Sequence, residues 1–265
     1  MENVTVAIAD LPPSLQGIKI VQLSDFHYDG LRLSNKLLQQ AIDVCNQVEP
    51  DMIVLTGDYV TTDPKPIHDL VSYLKNLQSR IGIYAILGNH DLFYANSKKE
   101  IRTALTSIGI QVLWNQIAYP FGPGLALVGL ADFRSAKFKP ASVMKQLNPT
   151  IPRIVLSHNP DSAPHLQQWR VDLQLSGHTH GGQIHLPNLG PLPSYFPILA
   201  NFIPKPLRSY LPYFRKDFRK VFQHWEWSQG LHQIGNNRLY INRGLGTYFP
   251  GRLFCPPEVT VIELT

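Results

Sequence analysis

From residue 18 onward, short apolar runs rich in β-branched residues alternate with stretches whose apolar positions recur every three or four residues. The runs at 18–25 (IKIVQLSD), 52–58 (MIVLTGD), 81–89 (IGIYAILGN), QVLW, LALVGLAD, 153–158 (RIVLSH) and 173–178 (LQLSGH) predict strands. Between them the spacing predicts helices over 35–48, 66–78 and 98–108. The first has Ser34 as its cap and Leu37, Leu38, Ala41, Ile42 and Cys45 on one face. Strands alternating with helices imply a layered α/β architecture. Further strand patterns occur at NVTVAIA (3–9), RLYINRG (238–244) and VTVIELT (259–265). The last two are expected to complete a second sheet, with 3–9 as a neighbour. No stretch reads as a linker, so residues 1–265 are expected to form a single domain. Within it, 187–229 is rich in Pro and aromatic residues, lacks the alternation, and reads as a cap or insertion.

The polar residues that interrupt this pattern are not scattered. Asp25, Asp58, Asn89, His158 and His178 each fall at the C-terminal end of an expected strand. In open α/β sheets that is where loops from several strands converge on a ligand. The strand ends are therefore the place to look for chemistry.

Composition narrows the picture without deciding it. An apolar content of 44% with 16% charged residues suits a globular chain. The first twenty residues lack a basic start and a sustained apolar run, so no export signal is expected, and a cytoplasmic location is the default reading. Two cysteines, Cys45 and Cys255, are too few for a disulfide framework or a thiolate metal site. The net charge of +5 is uneven: 191–228 holds six basic and two acidic residues, a local +4. Its basic residues sit in one aromatic, Pro-rich segment and form no long stripe, which disfavours nucleic acid as a partner.

The candidate chemistry lies in five blocks: Asp25-Phe-His27, Gly57-Asp58, Gly88-Asn89-His90-Asp91, His158, and Gly177-His178-Thr-His180. An Asp or His after a strand is, taken alone, as readily a cap as a ligand. Together the blocks supply carboxylate and amide oxygens with several imidazoles. That mixture suits Mn²⁺, Fe²⁺ or Zn²⁺ better than Ca²⁺ or Mg²⁺, which prefer oxygen shells. Phosphate ester hydrolysis uses such a set well, since two cations clamp the phosphoryl oxygens and make hydroxide near neutral pH. The glycines beside Asp58, Asn89 and His178 fit tight strand-to-loop turns.

In these blocks the chain resembles the calcineurin-like metallophosphoesterase family, whose pattern is D-x-H, G-D-x-x, G-N-H-D/E, a lone H, and G-H-x-H. The motif-bearing part spans about 18–186, and Asn242-Arg243-Gly244-Leu245-Gly246 with Pro256-Pro257-Glu258 resembles the small bacterial branch. The resemblance implies a layered β-sandwich flanked by helices, with a cap-like insertion after the GHTH block, and a hydrolase using two divalent transition-metal ions. It implies one ion held by Asp25, His27 and His180, the other by Asn89, His158 and His178, with Asp58 bridging and a metal-bridging hydroxide as nucleophile.

His90 is then left for proton chemistry, as general acid or cationic stabiliser, with Asp91 placed to orient it or to cap a helix. Arg243, between a strand and a Gly-rich turn, is a candidate for holding a substrate phosphate, against a structural role. Asp132 and Arg134 are read as a structural salt bridge, and His68, His165, His185, His224 and His232 as ordinary surface or helix residues. A non-catalytic binding module on the same fold is the alternative, and a nuclease a further one. The retained ligand set and His90 favour catalysis. The bacterial branch includes hydrolases of the UDP-diacylglucosamine type, so the substrate class spans phosphorylated small molecules and lipid-linked pyrophosphates. Residues 194–225 carry an aromatic and basic pattern that suits either a lid or peripheral membrane contact at the inner face, with Phe214, Phe218, Val221, Phe222 and Trp225 at helical spacing.

Overall fold

The computed structural model describes residues 1–208, 210 and 222–265. Its strands in chain order are β1 (Glu2–Val6), β2 (Lys19–Leu23), β3 (Met52–Leu55), β4 (Gly82–Ala85), β5 (Gln111–Val112), β6 (Gln116–Ala118), β7 (Ala126–Gly129), β8 (Arg153–Leu156), β9 (Leu173–Ser176), β10 (His185–Leu186), β11 (Gly190–Pro191), β12 (Gly230–Ile234), β13 (Asn237–Ile241) and β14 (Thr260–Leu264). Two six-stranded sheets form, in the orders β1-β14-β2-β3-β4-β5 and β12-β13-β9-β8-β7-β6. The short β10–β11 hairpin stands apart.

The sheets pack face to face, and the period of two along each strand explains how. In β3, Met52 and Val54 point into the core between the sheets, while Ile53 and Leu55 point to the opposite face. Ile154 and Leu156 of β8 meet them from the other sheet, and Val155 points away. Each central strand is thus covered on both sides and reads as an unbroken apolar run. Helices α1 (Asn35–Gln47), α2 (Ile67–Leu74) and α3 (Ser97–Ser107) cover the outer face of the first sheet. Ser34 caps α1 by accepting from Leu37 N–H at 3.2 Å, and Leu38, Ala41, Ile42 and Cys45 are its buried stripe. Shorter helical turns at Ala141–Met144 and Ala163–Leu166 lie against the second sheet and its edge. The result is a helix–sheet–sheet–helix sandwich.

One placement differs from expectation. Residues 238–241 do join the second sheet, β13 lying parallel to β9, but β14 enters the first sheet, antiparallel to β2 and parallel to β1. Val261 faces the helix side and Ile262 and Leu264 face the inter-sheet core, so β14 needs cover on both faces. An interior position between β1 and β2 gives it that.

Strands β2, β3 and β4 are parallel, as are β7, β8, β9 and β13. Their carboxyl ends open at one rim of the sandwich, where the five blocks follow. No helix among the described residues is long and apolar enough to cross a membrane.

Candidate metal centre

Five residues of the blocks share a backbone state that L-amino acids rarely adopt. Asp25, His27, Asp58, His178 and His180 have φ of 50°, 43°, 56°, 72° and 52°. Left-handed residues of this kind cost energy and persist where surrounding contacts over-determine them. The contacts are visible. Asp25 N–H donates to the Gly57 carbonyl at 2.9 Å and His27 N–H to the Asp58 carbonyl at 3.0 Å, lacing the turn after β2 to the turn after β3. Gly88 serves by close approach: a Cβ there would lie 2.1 Å from Asp58 Oδ1. At Gly177 a Cβ would likewise fall 2.1 Å from Asp25 Oδ2.

The side chains so placed converge. His27 Nε2 is 3.9 Å from Asp25 Oδ1, and His180 Nε2 is 3.5 Å from the same oxygen. The two imidazole nitrogens themselves stand 3.1 Å apart. On the other side Asp58 Oδ2 lies 3.5 Å from His27 Nε2 and 3.0 Å from His158 Nε2. Three sets of ligand atoms are each close enough for a single ion: Asp25, His27 and His180; Asp58, His158 and His178; and, joining these two, His27, Asp58 and His90. Asn89 Oδ1 is a buried polar atom without a hydrogen-bond partner among the described residues, and the only group near His158 Nε2 in hydrogen-bond range is the Asp58 carboxylate, at 3.0 Å. A buried orphan of this sort is costly unless something else meets it, and a cation would.

Three of the imidazoles are turned so that Nε2 faces inward. His158 Nδ1 meets the Thr56 carbonyl at 2.7 Å, His180 Nδ1 the Gly246 carbonyl at 3.1 Å, and His27 Nδ1 the Tyr248 hydroxyl at 2.9 Å. These contacts fix the three rings, and the two carbonyls, which can only accept, put a proton on Nδ1 of His158 and His180, an arrangement suited to metal ligation. Burial, the dominant influence, pushes His27 down to about 3 and holds His180 well below the usual histidine range, so both are neutral donors. At His158 burial works in the same direction, but the adjacent Asp58 carboxylate outweighs it and pushes the group up to about 10. A proton there stabilises Asp58, a role that a cation bound at this place would take over. Burial also raises Asp25, to about 6.

His90 stands at the edge of this cluster, half-buried, with its ring 4.8 Å from that of His27. Its backbone N–H donates to Asp58 Oδ1 at 2.9 Å, and its Nδ1 meets the Thr61 carbonyl. Asp91 does not orient it. The Asp91 carboxylate is buried and accepts the backbone N–H groups of Asp58, Tyr59 and Gly88, each at 2.8 Å, pinning the turn after β3 to the turn after β4. Adjacent residues on a helical turn point in different directions, so the side chain beside His90 in sequence turns inward to the backbone.

Arg243 is likewise committed elsewhere. Its Nε lies 2.7 Å from Glu258 and its Nη2 2.5 Å from Glu2, with the side chain mostly buried. Two carboxylates already satisfy the guanidinium, and it ties the turn after β13 to β1. Asp132 accepts the backbone N–H of Arg134 at 3.0 Å, while Arg134 itself lies in the wall of the cavity over the centre. Of the remaining histidines, His68 meets Glu100 at 3.0 Å and His224 meets Glu226 at 2.8 Å, away from the ligand groups.

Over the centre opens a cavity of about 660 Å³. Its floor is Asp58, Asn89, His90, His178 and His180. Its walls are largely apolar, with Phe93, Ile184, Leu192, Phe196, Phe222 and Trp225 among them. Phe222 is completely buried there, edge-on to Trp225 at 5.3 Å. The expected amphipathic pattern from Phe214 through Val221 lies outside the described residues. Sequence reasoning missed Tyr248 and the Thr61 carbonyl. A signal for Tyr248 existed, since it lies two residues beyond the Gly244–Gly246 turn.

Comparison with known proteins agrees with this geometry. The family model for calcineurin-like phosphoesterases matches residues 18–182. The chain is 30% identical to the UDP-2,3-diacylglucosamine pyrophosphatase LpxG of Chlamydia muridarum, over 94% of this chain and 84% of that protein. It is 33% identical to the phosphodiesterase YaeI of Escherichia coli, over 93% and 82%, and 31% identical to the uncharacterized metallophosphoesterase YkuE of Bacillus subtilis, over 98% and 83%. A solved structure aligned over 84% of this chain and 90% of its own, at 10% identity, has a TM-score of 0.53 and bears on the fold alone. The chain belongs to the calcineurin-like metallophosphoesterase family of hydrolases.

Proposed function

We propose that this protein hydrolyses a phosphoester or pyrophosphate bond at a centre of two divalent transition-metal ions, in a substrate with an apolar arm. The observation that carries the reading is the place of Asp58 Oδ2, at 3.5 Å from His27 Nε2 and 3.0 Å from His158 Nε2, on the seam between two groups of ligand atoms. Asp25, His27 and His180 would hold one ion, Asn89, His158 and His178 the other, and Asp58 both. Mn²⁺, Fe²⁺ or Zn²⁺ suits this mix of oxygen and imidazole. Such a pair of cations supplies an activated water and neutralises phosphoryl charge.

The chain's own part is proton transfer and placement. With both ring nitrogens protonated, His90 donates Nδ1–H to the Thr61 carbonyl, which leaves Nε2–H for the departing oxygen. Asp91, by holding three backbone N–H groups, keeps Asp58 and His90 in mutual register. The apolar walls exclude water and favour a substrate whose phosphate is attached to something greasy. The chlamydial relative, a UDP-2,3-diacylglucosamine pyrophosphatase, supports the same reading.

Peripheral membrane contact through 194–225 fits that substrate class. The helix Phe196–Phe202 sends Phe196 into the cavity wall and leaves Ile198, Leu199 and Phe202 exposed, Phe202 at 80%. Across the mouth Phe249 is 81% exposed. Assay of the metal-loaded protein on a monoester, a diester and a lipid pyrophosphate tests the function. Turnover greatest on the lipid substrate is expected, and no hydrolysis of any of the three with Mn²⁺, Fe²⁺ or Zn²⁺ would overturn it.

A further inference from the structure

Tyr248 is built into the centre from the far end of the chain. Thr247 N–H donates to the Arg32 carbonyl at 2.9 Å, and Tyr248 N–H donates to Gln183 Oε1 at 2.5 Å, which dock the loop after β13 onto the loops carrying His27 and His180. The phenol ring packs against the rings of His27 and His180 at 4.9 and 5.3 Å and forms part of the cavity lining with His90. The Arg32 guanidinium lies 4.6 Å from the ring centroid, a cation–π contact. Arg32 is ion-paired with Asp29, and the same Asp29 carboxylate accepts from Thr61 Oγ1 at 2.9 Å. Thr61 in turn holds His90 through its carbonyl. One carboxylate therefore braces both Tyr248 and His90.

Counting protons gives the phenol a task. A neutral imidazole has one ring proton. His27 Nε2 faces Asp58 Oδ2 at 3.5 Å and His180 Nε2 at 3.1 Å, which is where its lone pair must point to serve as a ligand. With Nε2 so committed, the proton would sit on Nδ1 and be donated to Tyr248 Oη, 2.9 Å away. The oxygen being the acceptor in that bond, its own hydrogen must point elsewhere, and among the described residues Oη has no second partner. The cavity is the open direction. Without a cation the reverse arrangement is available, with the phenol donating to His27 Nδ1.

Resting on the reading of this centre as a metal-dependent phosphoesterase, we infer that Tyr248 contacts substrate, donating its phenol hydrogen to an oxygen of the phosphoryl group, and that Arg32 and Asp29 position its ring. Commitment of His27 Nε2 to a cation releases that donor, so loading prepares a contact to the phosphoryl group as well as binding it.

The test is calorimetric titration of the metal-loaded protein with inorganic phosphate, alongside metal analysis of the same samples. Tyr248→Phe is expected to keep the wild-type metal content and melting temperature, and to weaken phosphate binding on the order of 10–100-fold, the worth of a hydrogen bond to a charged group. Arg32→Ala should weaken it less. The double variant should be no worse than Tyr248→Phe alone, because Arg32 acts through the ring. Phosphate affinity unchanged by Tyr248→Phe would overturn the proposal and leave the functional reading standing. So would a loss of metal in that variant, which would make Tyr248 a support for His27 alone. A loaded wild-type protein that binds no phosphate would overturn both.

Discussion

The floor of the cavity and its walls are built by opposite means. The floor and the residues beneath it are polar and over-determined: Asp25, His27, Asp58, His178 and His180 are held left-handed, and the outer ring nitrogens of His158, His180 and His27 are tied to Thr56, Gly246 and Tyr248. The walls are apolar and come from short pieces, the three-residue turn Trp225–Trp227, the helix Phe196–Phe202 and the loop at Phe249, with large side chains left exposed at the mouth. The difference separates chemistry from choice. Geometry fit for two cations needs rigid strand ends, whereas recognition of an apolar arm needs only surface of the right character. Changes in the floor should therefore abolish turnover with little effect on stability, and changes in the walls should alter substrate preference, stability or lipid contact.

The largest effect is expected at Asp58. Asp58→Asn should reduce activity to the limit of detection and lower metal content, while circular dichroism and thermal melting show a retained fold, because the carboxylate proposed to bridge the two ions is lost. Full activity in that variant would break the two-ion account. Next, His90→Ala should retain metal and lower turnover by roughly 10²–10⁴-fold, the usual worth of a general acid. The loss should shrink for esters with very good leaving groups, measured as a leaving-group dependence of kcat. Equal losses across leaving groups would favour electrostatic stabilisation.

The walls give smaller and different effects. Phe222→Ala should destabilise the protein by about 3–5 kcal/mol, as expected for a large aromatic removed from a completely buried site, read by denaturant melts. That burial is what a lid requires of Phe222, and a stability within about 0.5 kcal/mol of wild type would place it on an open surface instead. Least of all for stability, Phe202→Ser at an exposed position should leave the melt unchanged but weaken co-sedimentation with anionic vesicles. The binding should fall with salt, since each basic residue near the surface contributes about 1 kcal/mol that ions screen. A protein that ignores such vesicles at low salt has no membrane face there.

The polar cluster at the strand ends was legible in the sequence because Asp25, Asp58 and His158 each appear as a polar residue closing an apolar run, and parallel strands bring such ends together. The helices were legible from periodicity, Ser34 included. What was not legible depends on contacts between distant parts of the chain. Tyr248 reaches His27 across 221 positions, and β14 chooses its sheet by the cover its two faces need. Asp91 and Arg243 show the opposite error: both stand beside chemistry in sequence, yet one turns to backbone N–H groups and the other to two carboxylates. The glycines of the blocks serve in two different ways. Gly57 does take a positive φ, at 98°, but Gly88 and Gly177 are required by the close approach of Asp58 and Asp25, which only the folded turns create.

The central claim is that two cations share Asp58. Anomalous diffraction from crystals of the metal-loaded protein at the Mn, Fe and Zn edges measures it directly. The account predicts two peaks about 3.5–4 Å apart, one bounded by Asp25, His27 and His180 and the other by Asn89, His158 and His178, with Asp58 between them. A single peak, or two peaks of which one does not touch Asp58, would contradict it.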